Sequence, residues 1–232
     1  MELSLEPAFV LHQRPYKESS ALVDIFSKMH GKLSLVAKGL RRQVAWLNAL
    51  QLFQPLLISA QGRGELLTLT HIETQAAAYH LKAEQLFSGF YINELLSRLL
   101  AKQDPHPALF VVYENLLIAL EHQTAEQLQP NLRYFEKCLL KELGYGLSLD
   151  THKICATQNY QYEPEVGLIR CVDAVALTTE KNIFSGACLL AIANDNLQDV
   201  HSLRAAKRLM RLALQPLLGD KPLKSRDLFR GN

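Results

Sequence analysis

The chain has 232 residues, of which 48% are hydrophobic and 21% charged, and its formal net charge is +2. These proportions are typical of soluble globular proteins and exclude a chain that is mainly disordered. The sequence also lacks an apolar run of the roughly 18–20 residues that a membrane span needs, a basic secretory leader, and closely paired cysteines. We therefore expect a cytoplasmic protein that makes no membrane contact.

The first 75 residues predict β structure with one short helix. Strands are expected at residues 8–12, 20–29, 32–38, 53–59 and 65–74. His30-Gly31 forms a hairpin turn in this interpretation, a helix covers residues 40–50, and residues 61–64 form a glycine turn. Three strands, a helix and two strands follow each other in the order of an OB-fold, a five-stranded barrel that commonly binds single-stranded nucleic acid.

After Tyr79 the apolar spacing becomes helical. Helices are expected at residues 81–102, 108–122, 129–143, from about 186, and 202–218. Residues 145–182 are irregular, with a hairpin candidate that joins residues 160–162 to 167–169. We predict an α+β multi-domain protein, with an OB-fold β-barrel at residues 1–78 and an all-α helical domain at residues 79–232. A short irregular or β insert interrupts the helical domain at about residues 146–182.

The near-neutral total charge conceals an uneven distribution. Residues 1–80 carry a net charge of +2, residues 81–200 carry −6, and residues 201–232 carry +6. In the last segment, four cations lie within one helical arc, at Arg204, Lys207, Arg208 and Arg211, and three more follow, at Lys221, Lys224 and Arg226. Such a cluster repels itself, which favours a polyanion-binding surface. A solvated helix face is the alternative.

A second basic cluster, Lys38-Gly39-Leu40-Arg41-Arg42, follows the third strand of the expected barrel. Glycine allows a ligand close to the backbone, and the three cations suit phosphates. The remaining candidate DNA-binding cations of the barrel are Arg14, Lys32 and Arg63. The nearest aromatic residues for base stacking are Trp46, Phe26 and Tyr16, although Trp46 is expected to pack the helix onto the barrel.

The sequence predicts neither a metal site nor an enzyme. His152, Cys155 and Cys171 do not provide the two close ligand pairs of a structural zinc site, and Cys138 and Cys188 lie in apolar helical segments. Phosphate-binding loops and hydrolase motifs are missing as well. We expect no metal, no cofactor and no catalytic residue. A metal-dependent nucleic-acid-processing enzyme and a sequence-specific DNA-binding protein remain as alternatives.

Five segments in order along the chain resemble one bacterial family. They are residues 9–15, 31–42, 91–100, 132–146 and 203–226. With these segments the chain resembles the RecO family of recombination mediators over essentially its whole length. The resemblance implies an N-terminal OB-fold and a C-terminal helical domain, in agreement with the elements above.

The resemblance also implies a function and partners. Family members bind single- and double-stranded DNA, anneal complementary strands, and help to load RecA onto DNA coated by single-strand-binding protein (SSB), with RecR as partner. The location implied is the cytoplasm, at the nucleoid. The helical domain of the family binds the acidic tail of SSB, for which Arg133, Lys137 and Lys141 are candidates; ordinary surface charges balanced by Glu136 and Glu142 are the alternative. Many members carry a four-cysteine zinc motif in the insert, but this chain keeps only Cys155 and Cys171 there.

Overall fold

Five strands near the N-terminus form a closed barrel. The computed structural model describes residues 1–40, 44–171 and 181–228, except for the side chain of Arg226. The strands are β1 (Glu2–Tyr16), β2 (Ser20–Ser27), β3 (Gly31–Ala37), β4 (Leu56–Gln61) and β5 (Leu66–Thr74). Their order is β1-β2-β3-β5-β4; β3 and β5 run parallel, the other neighbouring strands pair antiparallel, and β4 pairs with β1 to close the barrel. The predicted OB-fold barrel is confirmed.

Strand β1 is longer than the sequence predicts, and it includes two prolines. Pro7 pairs with Leu57 of β4, and Pro15 pairs with Ala21 of β2. The register of β1 shifts twice, once between Leu3 and Glu6 and once between residues 10 and 12. Proline cannot donate a ladder hydrogen bond, so it is accommodated at bulges and strand ends. The strand predicted at residues 8–12 was therefore too short at both ends.

Alternating side chains of the strands fill the barrel interior, and helix α1 (Val44–Ala49) packs on it. Ala49 and Leu50 are buried, and Trp46 packs against the barrel core as expected. Val44 and Leu47 of this helix are exposed.

The barrel belongs to a compact unit that comprises residues 1–124 and 222–232. This unit also contains α2 (Ala83–Leu99), α3 (Pro107–His122) and α7 (Ser225–Leu228). Phe9 of β1 and Phe26 of β2 point away from the barrel interior and pack against Phe110 and Tyr113 of α3. The compact unit thus extends beyond residue 78, and the domain boundary drawn there stays a prediction.

Residues 125–221 form the second compact unit. It contains α4 (Ala125–Glu142), β6 (Asn159–Glu163), β7 (Gly167–Arg170), β8 (Ile183–Ser185), α5 (Gly186–Ala193) and α6 (Val200–Leu218). The predicted hairpin is confirmed as β6 and β7, and β8 adds a third strand on the other side of β6. Helix α4 begins earlier than predicted and includes Pro130. Within the described ranges, no helix combines the length and the apolar character that a membrane crossing requires.

Candidate nucleic-acid interface

The outer face of β2 and β3 carries several of the predicted DNA-binding residues. Leu33 and Leu35 of β3 point into the barrel core, so the even-numbered residues of this strand point outward. The strand register aligns Arg14 of β1 with Leu22 of β2, and Leu22 with Val36 of β3. In OB-folds this face and the loops after β1 and β4 bind oligonucleotides.

A cleft of about 690 Å³ lies on this face, and we call it the β2–β3 cleft. It is lined by Arg14, Pro15, Tyr16, Leu22, Asp24, Lys32, Ser34, Glu65, Leu66, Ser97 and Lys102. The structure thus brings together the predicted residues Arg14 and Lys32, and it adds Lys102. Sequence analysis missed Lys102 because it follows α2 in the chain, where no local pattern connects it with the barrel.

Lys32 is directed at the protein and not at solvent. Its Nζ donates a 2.8 Å hydrogen bond to the carbonyl oxygen of Ser97, in the last turn of α2. Burial lowers the pKa of Lys32, as does nearby Lys102, while the carboxylate of Asp24 acts in the opposite direction. Arg14, by contrast, is exposed. Arg14 is therefore the better placed of the two predicted cations for a phosphate.

Lys102 holds the loop between β4 and β5. Its Nζ lies 2.7 Å from a carboxylate oxygen of Glu65, and the side-chain amide of Gln103 donates a 3.2 Å hydrogen bond to the carbonyl of Gly64. The hydrogen bond with Lys102 lowers the pKa of the exposed Glu65 carboxyl group. An exposed ion pair of this kind contributes little to stability, so a DNA phosphate can compete for Lys102.

A second, more open cleft of about 580 Å³ brings together two further predicted residues, Lys38 and Arg63. Arg63 lies in the loop after β4, and Lys38 follows the last residue of β3; both are exposed. We call this the loop cleft. The predicted neighbours Arg41 and Arg42 lie outside the described residues.

Of the three aromatic candidates, only Tyr16 lines a cleft of this face. The Nζ of Lys17 lies 5.4 Å from the centre of the Tyr16 ring. Phe26 is fully buried, and its ring centre is 5.4 Å from that of Phe110, so the suggested base stacking by Phe26 is wrong. The aromatic cluster under α3 is a long-range arrangement that strand alternation does not reveal.

The predicted basic stripe of α6 is only partly open to ligands. Arg204, Lys207 and Arg211 are exposed. Arg208 is exposed as well, but its guanidinium stacks at 4.5 Å over the Phe184 ring and donates a hydrogen bond to the carbonyl of Ile183. The apolar side of the helix, which includes Ala206, Leu209, Met210 and Ala213, is buried.

The basic residues after α6 lie on a segment that is attached to α2. Glu94 accepts 2.9 Å hydrogen bonds from the backbone N–H groups of Lys224 and Ser225, and a third, of 2.7 Å, from the Ser225 hydroxyl group. Arg98 donates to the carbonyl oxygen of Pro222. The side chain of Lys224 remains exposed, as does that of Lys221. The Arg226 side chain lies outside the described part of the chain.

The three candidate residues for an acidic peptide on α4 differ in their surroundings. Arg133 is buried, and its Nη1 lies 3.0 Å from the carboxylate of the equally buried Glu136. Lys137 pairs with Asp195 and donates to the carbonyl groups of Ile192 and Ala193 at the end of α5. Lys141 is exposed. The three residues, spaced i, i+4 and i+8, therefore lead from the interior of this unit to its surface.

The two insert cysteines are free thiols, as are the other two cysteines. The Sγ of Cys155 lies 3.3 Å from the Thr157 hydroxyl oxygen, and this hydrogen bond lowers the pKa of the exposed thiol. Among residues 1–40, 44–171 and 181–228, no three His, Cys, Asp or Glu side chains are grouped as ligands of a metal ion.

Comparison with known proteins covers both halves of the chain. Residues 1–77 match the family model "Recombination protein O N terminal", and residues 80–227 match "Recombination protein O C terminal". Three similar proteins are each named DNA repair protein RecO. The one from Haemophilus influenzae is 41% identical, with 100% of this chain and 98% of the relative covered. The one from Coxiella burnetii is 42% identical, with 98% of each covered, and the one from Nitrosococcus oceani is 47% identical, with 99% and 94% covered.

Proposed function

Because this chain belongs to the RecO family of DNA repair and recombination proteins, we propose that it is a DNA-binding mediator that acts without catalysing a chemical reaction. The observation that carries this proposal is a set of four exposed cations that line the β2–β3 cleft and the loop cleft of the OB-fold barrel. They are Arg14, Lys38, Arg63 and Lys102. Lys32, Arg41 and Arg42 complete the proposed set on the barrel.

The exposed cations suit the backbone of single-stranded DNA. Each phosphate that is neutralised releases counterions, so this contact supplies affinity without regard to sequence and weakens as salt is added. Tyr16 supplies an aromatic ring on the same face for a base, and base stacking is likewise tolerant of sequence. In this proposal most of the affinity of the barrel face for single strands comes from contacts that every sequence provides.

A second DNA contact is proposed on α6, in the other compact unit. Arg204, Lys207, Arg208 and Arg211 are exposed there, and Arg208 in addition stacks on Phe184. Lys221, Lys224 and Arg226 extend the proposed set along the chain. A protein with two separate basic surfaces can hold two strands and reduce their mutual repulsion. This is the physical basis on which we propose strand annealing.

Partner proteins are also part of the proposal. In it, the chain acts with RecR to help load RecA onto SSB-coated DNA, in the cytoplasm at the nucleoid. The acidic SSB tail would bind at α4 beside the exposed Lys141. Burial lowers the pKa of Lys207 on α6, and nearby Arg133 and Arg211 lower it further. An acidic peptide bound where α4 and α6 meet would reduce the repulsion among Lys207, Arg133, Arg211 and Lys137.

Strand annealing in the presence of magnesium and without ATP tests the proposal. Purified protein is mixed with complementary labelled strands, naked or coated with SSB, and the products are resolved on native and denaturing gels. Faster annealing with intact strands supports the mediator. Shortened strands would instead show a nucleic-acid-processing enzyme, and binding that requires one particular sequence and fails on all others would show a sequence-specific DNA-binding protein.

A further inference from the structure

A carboxylate lies in the cleft where the proposed function places a polyanion. Asp24, in the middle of β2, lines the β2–β3 cleft together with Arg14 and Lys102. The Ser34 hydroxyl group donates a 2.6 Å hydrogen bond to Oδ1 of Asp24, which orients the carboxylate. Among residues 1–40, 44–171 and 181–228, no basic side chain forms an ion pair with Asp24 within 4.0 Å.

The neighbouring cation Lys32 does not form an ion pair with Asp24. The amine of Lys32 is used by the carbonyl oxygen of Ser97, although Lys32 is close enough to Asp24 for their charges to interact. A DNA phosphate placed against the Asp24 carboxylate would be repelled. The groups that DNA can offer a carboxylate are the N–H donors on the edges of its bases.

The remaining walls of the cleft suit the flat face of a base. Leu66 is an apolar side chain with 42% of its surface exposed, and it lies next to Ser34 in the β3–β5 register. Leu22 and Tyr16 add further apolar and aromatic surface. The volume of about 690 Å³ falls within the range of roughly 300–1,000 Å³ in which small-molecule sites are found.

We propose that the β2–β3 cleft is a base-reading subsite in which Asp24 selects guanine from single-stranded DNA. This inference rests on the proposed DNA-binding function. Arg14 and Lys102 hold the backbone at the rim, the base enters between Leu22, Leu66 and Tyr16, and its edge meets Asp24. Single-stranded bases are commonly read in this way, on the Watson–Crick edge.

Guanine fits a carboxylate best because its Watson–Crick edge presents two adjacent donors, N1–H and the N2 amino group. Cytosine and adenine present one amino group beside an acceptor nitrogen. Thymine presents a single N–H between two carbonyl oxygens, which the carboxylate repels. The expected order of affinity is therefore guanine first and thymine last, with a difference of about fivefold or more for a good bidentate contact.

Fluorescence anisotropy with four labelled 12-mers tests the subsite. Three are oligothymidylates with one central guanine, cytosine or adenine, and the fourth is thymidine throughout. The wild-type protein is expected to bind the guanine oligomer at least about fivefold more tightly than the thymidine oligomer. In Asp24→Asn this preference is lost, because an amide replaces one acceptor oxygen with a donor, while affinity for the thymidine oligomer is kept or rises.

Glu84→Gln provides the matched control, since it also removes one negative charge from the same unit. Glu84 is in the first turn of α2, about 20 Å along the helix from Ser97. The Glu84→Gln variant should keep the guanine preference. Thermal melting checks that both variants are folded. Equal affinities for all four oligomers overturn the subsite but leave the DNA-binding function standing. Failure to bind any oligomer overturns both.

Discussion

The hydroxyl group of Tyr113 on α3 donates a 2.7 Å hydrogen bond to Oδ1 of Asn93 on α2, and both residues are buried. Burial raises the pKa of Tyr113, so its hydroxyl group is protonated and able to donate at neutral pH. The Nδ2 of Asn93 in turn donates to the carbonyl groups of Val10 and Leu11 at 3.4 Å. This pair therefore connects two helices to the first strand of the barrel.

Tyr113→Phe is expected to destabilise the protein by about 1–3 kcal/mol, because Oδ1 of Asn93 loses its partner inside the core. Urea unfolding followed by circular dichroism measures the change. Tyr145→Phe is the control. Tyr145 is 60% exposed, so loss of its hydroxyl group should change the free energy of unfolding by no more than about 0.5 kcal/mol. Equal stability of the two variants would show that the buried bond is unimportant.

Phe26→Ala and Tyr16→Ala should impair different properties: the first should lower stability, and the second should weaken DNA binding. Phe26 is fully buried, so its truncation should cost about 3–5 kcal/mol of folding free energy. Tyr16 lines the β2–β3 cleft, so its truncation should weaken binding of oligothymidylate by about 1–3 kcal/mol and leave the melting temperature nearly unchanged. Normal DNA affinity in folded Tyr16→Ala would exclude stacking at this position.

The attachment of residues 222–228 to α2 should depend on pH through Glu94. Burial by itself would raise the pKa of Glu94, but hydrogen bonds from Ser225 and Lys224, together with nearby Arg98, hold the pKa below its ordinary value. A carboxyl group with a lowered folded-state pKa stabilises the fold above the unfolded pKa, about 4.3, and this stabilisation is lost as the pH falls through the lower, folded-state pKa.

We therefore expect Glu94→Gln to be less stable than wild type at pH 7, and the difference to shrink below about pH 4. Urea unfolding at a series of pH values gives both curves. Glu84→Gln serves as comparison because Glu84 is exposed in the same helix. A difference between wild type and Glu94→Gln that is constant from pH 7 to pH 3 would contradict the assignment.

Substitutions on α6 should distinguish Arg208, which contributes to stability, from its neighbours, which contribute to DNA binding. Arg208→Ala removes the stacking on Phe184 and the hydrogen bond to Ile183, and should lower stability by about 1–3 kcal/mol. The double variant Arg204→Ala/Arg211→Ala should keep the stability of the wild type and anneal strands more slowly. Unchanged annealing in the double variant would leave α6 as an ordinary solvated face.

Local patterns predicted the elements, and long-range packing decided which predicted residues are open to a ligand. The alternation of residues 32–38 was sufficient to predict a strand there, and β3 spans Gly31–Ala37. Alternation could not show that Phe26 faces α3, because the second apolar layer comes from a helix more than 80 residues later. For the same reason, the spacing of Arg133 and Arg208 identified their helix faces but not the burial of Arg133 with Glu136 or the stacking of Arg208 on Phe184.

The salt dependence of single-strand binding tests the central claim most directly. If about six phosphates are neutralised, the logarithm of the association constant should fall with the logarithm of salt concentration at a slope of about −4. The triple variant Arg14→Ala/Lys38→Ala/Arg63→Ala should reduce the magnitude of that slope by about 2. The triple variant Lys82→Ala/Lys153→Ala/Lys181→Ala, which removes equal charge from exposed sites outside the two clefts, should keep it. A slope near zero in the wild type, or equal slopes in both variants, would contradict DNA binding by the barrel face.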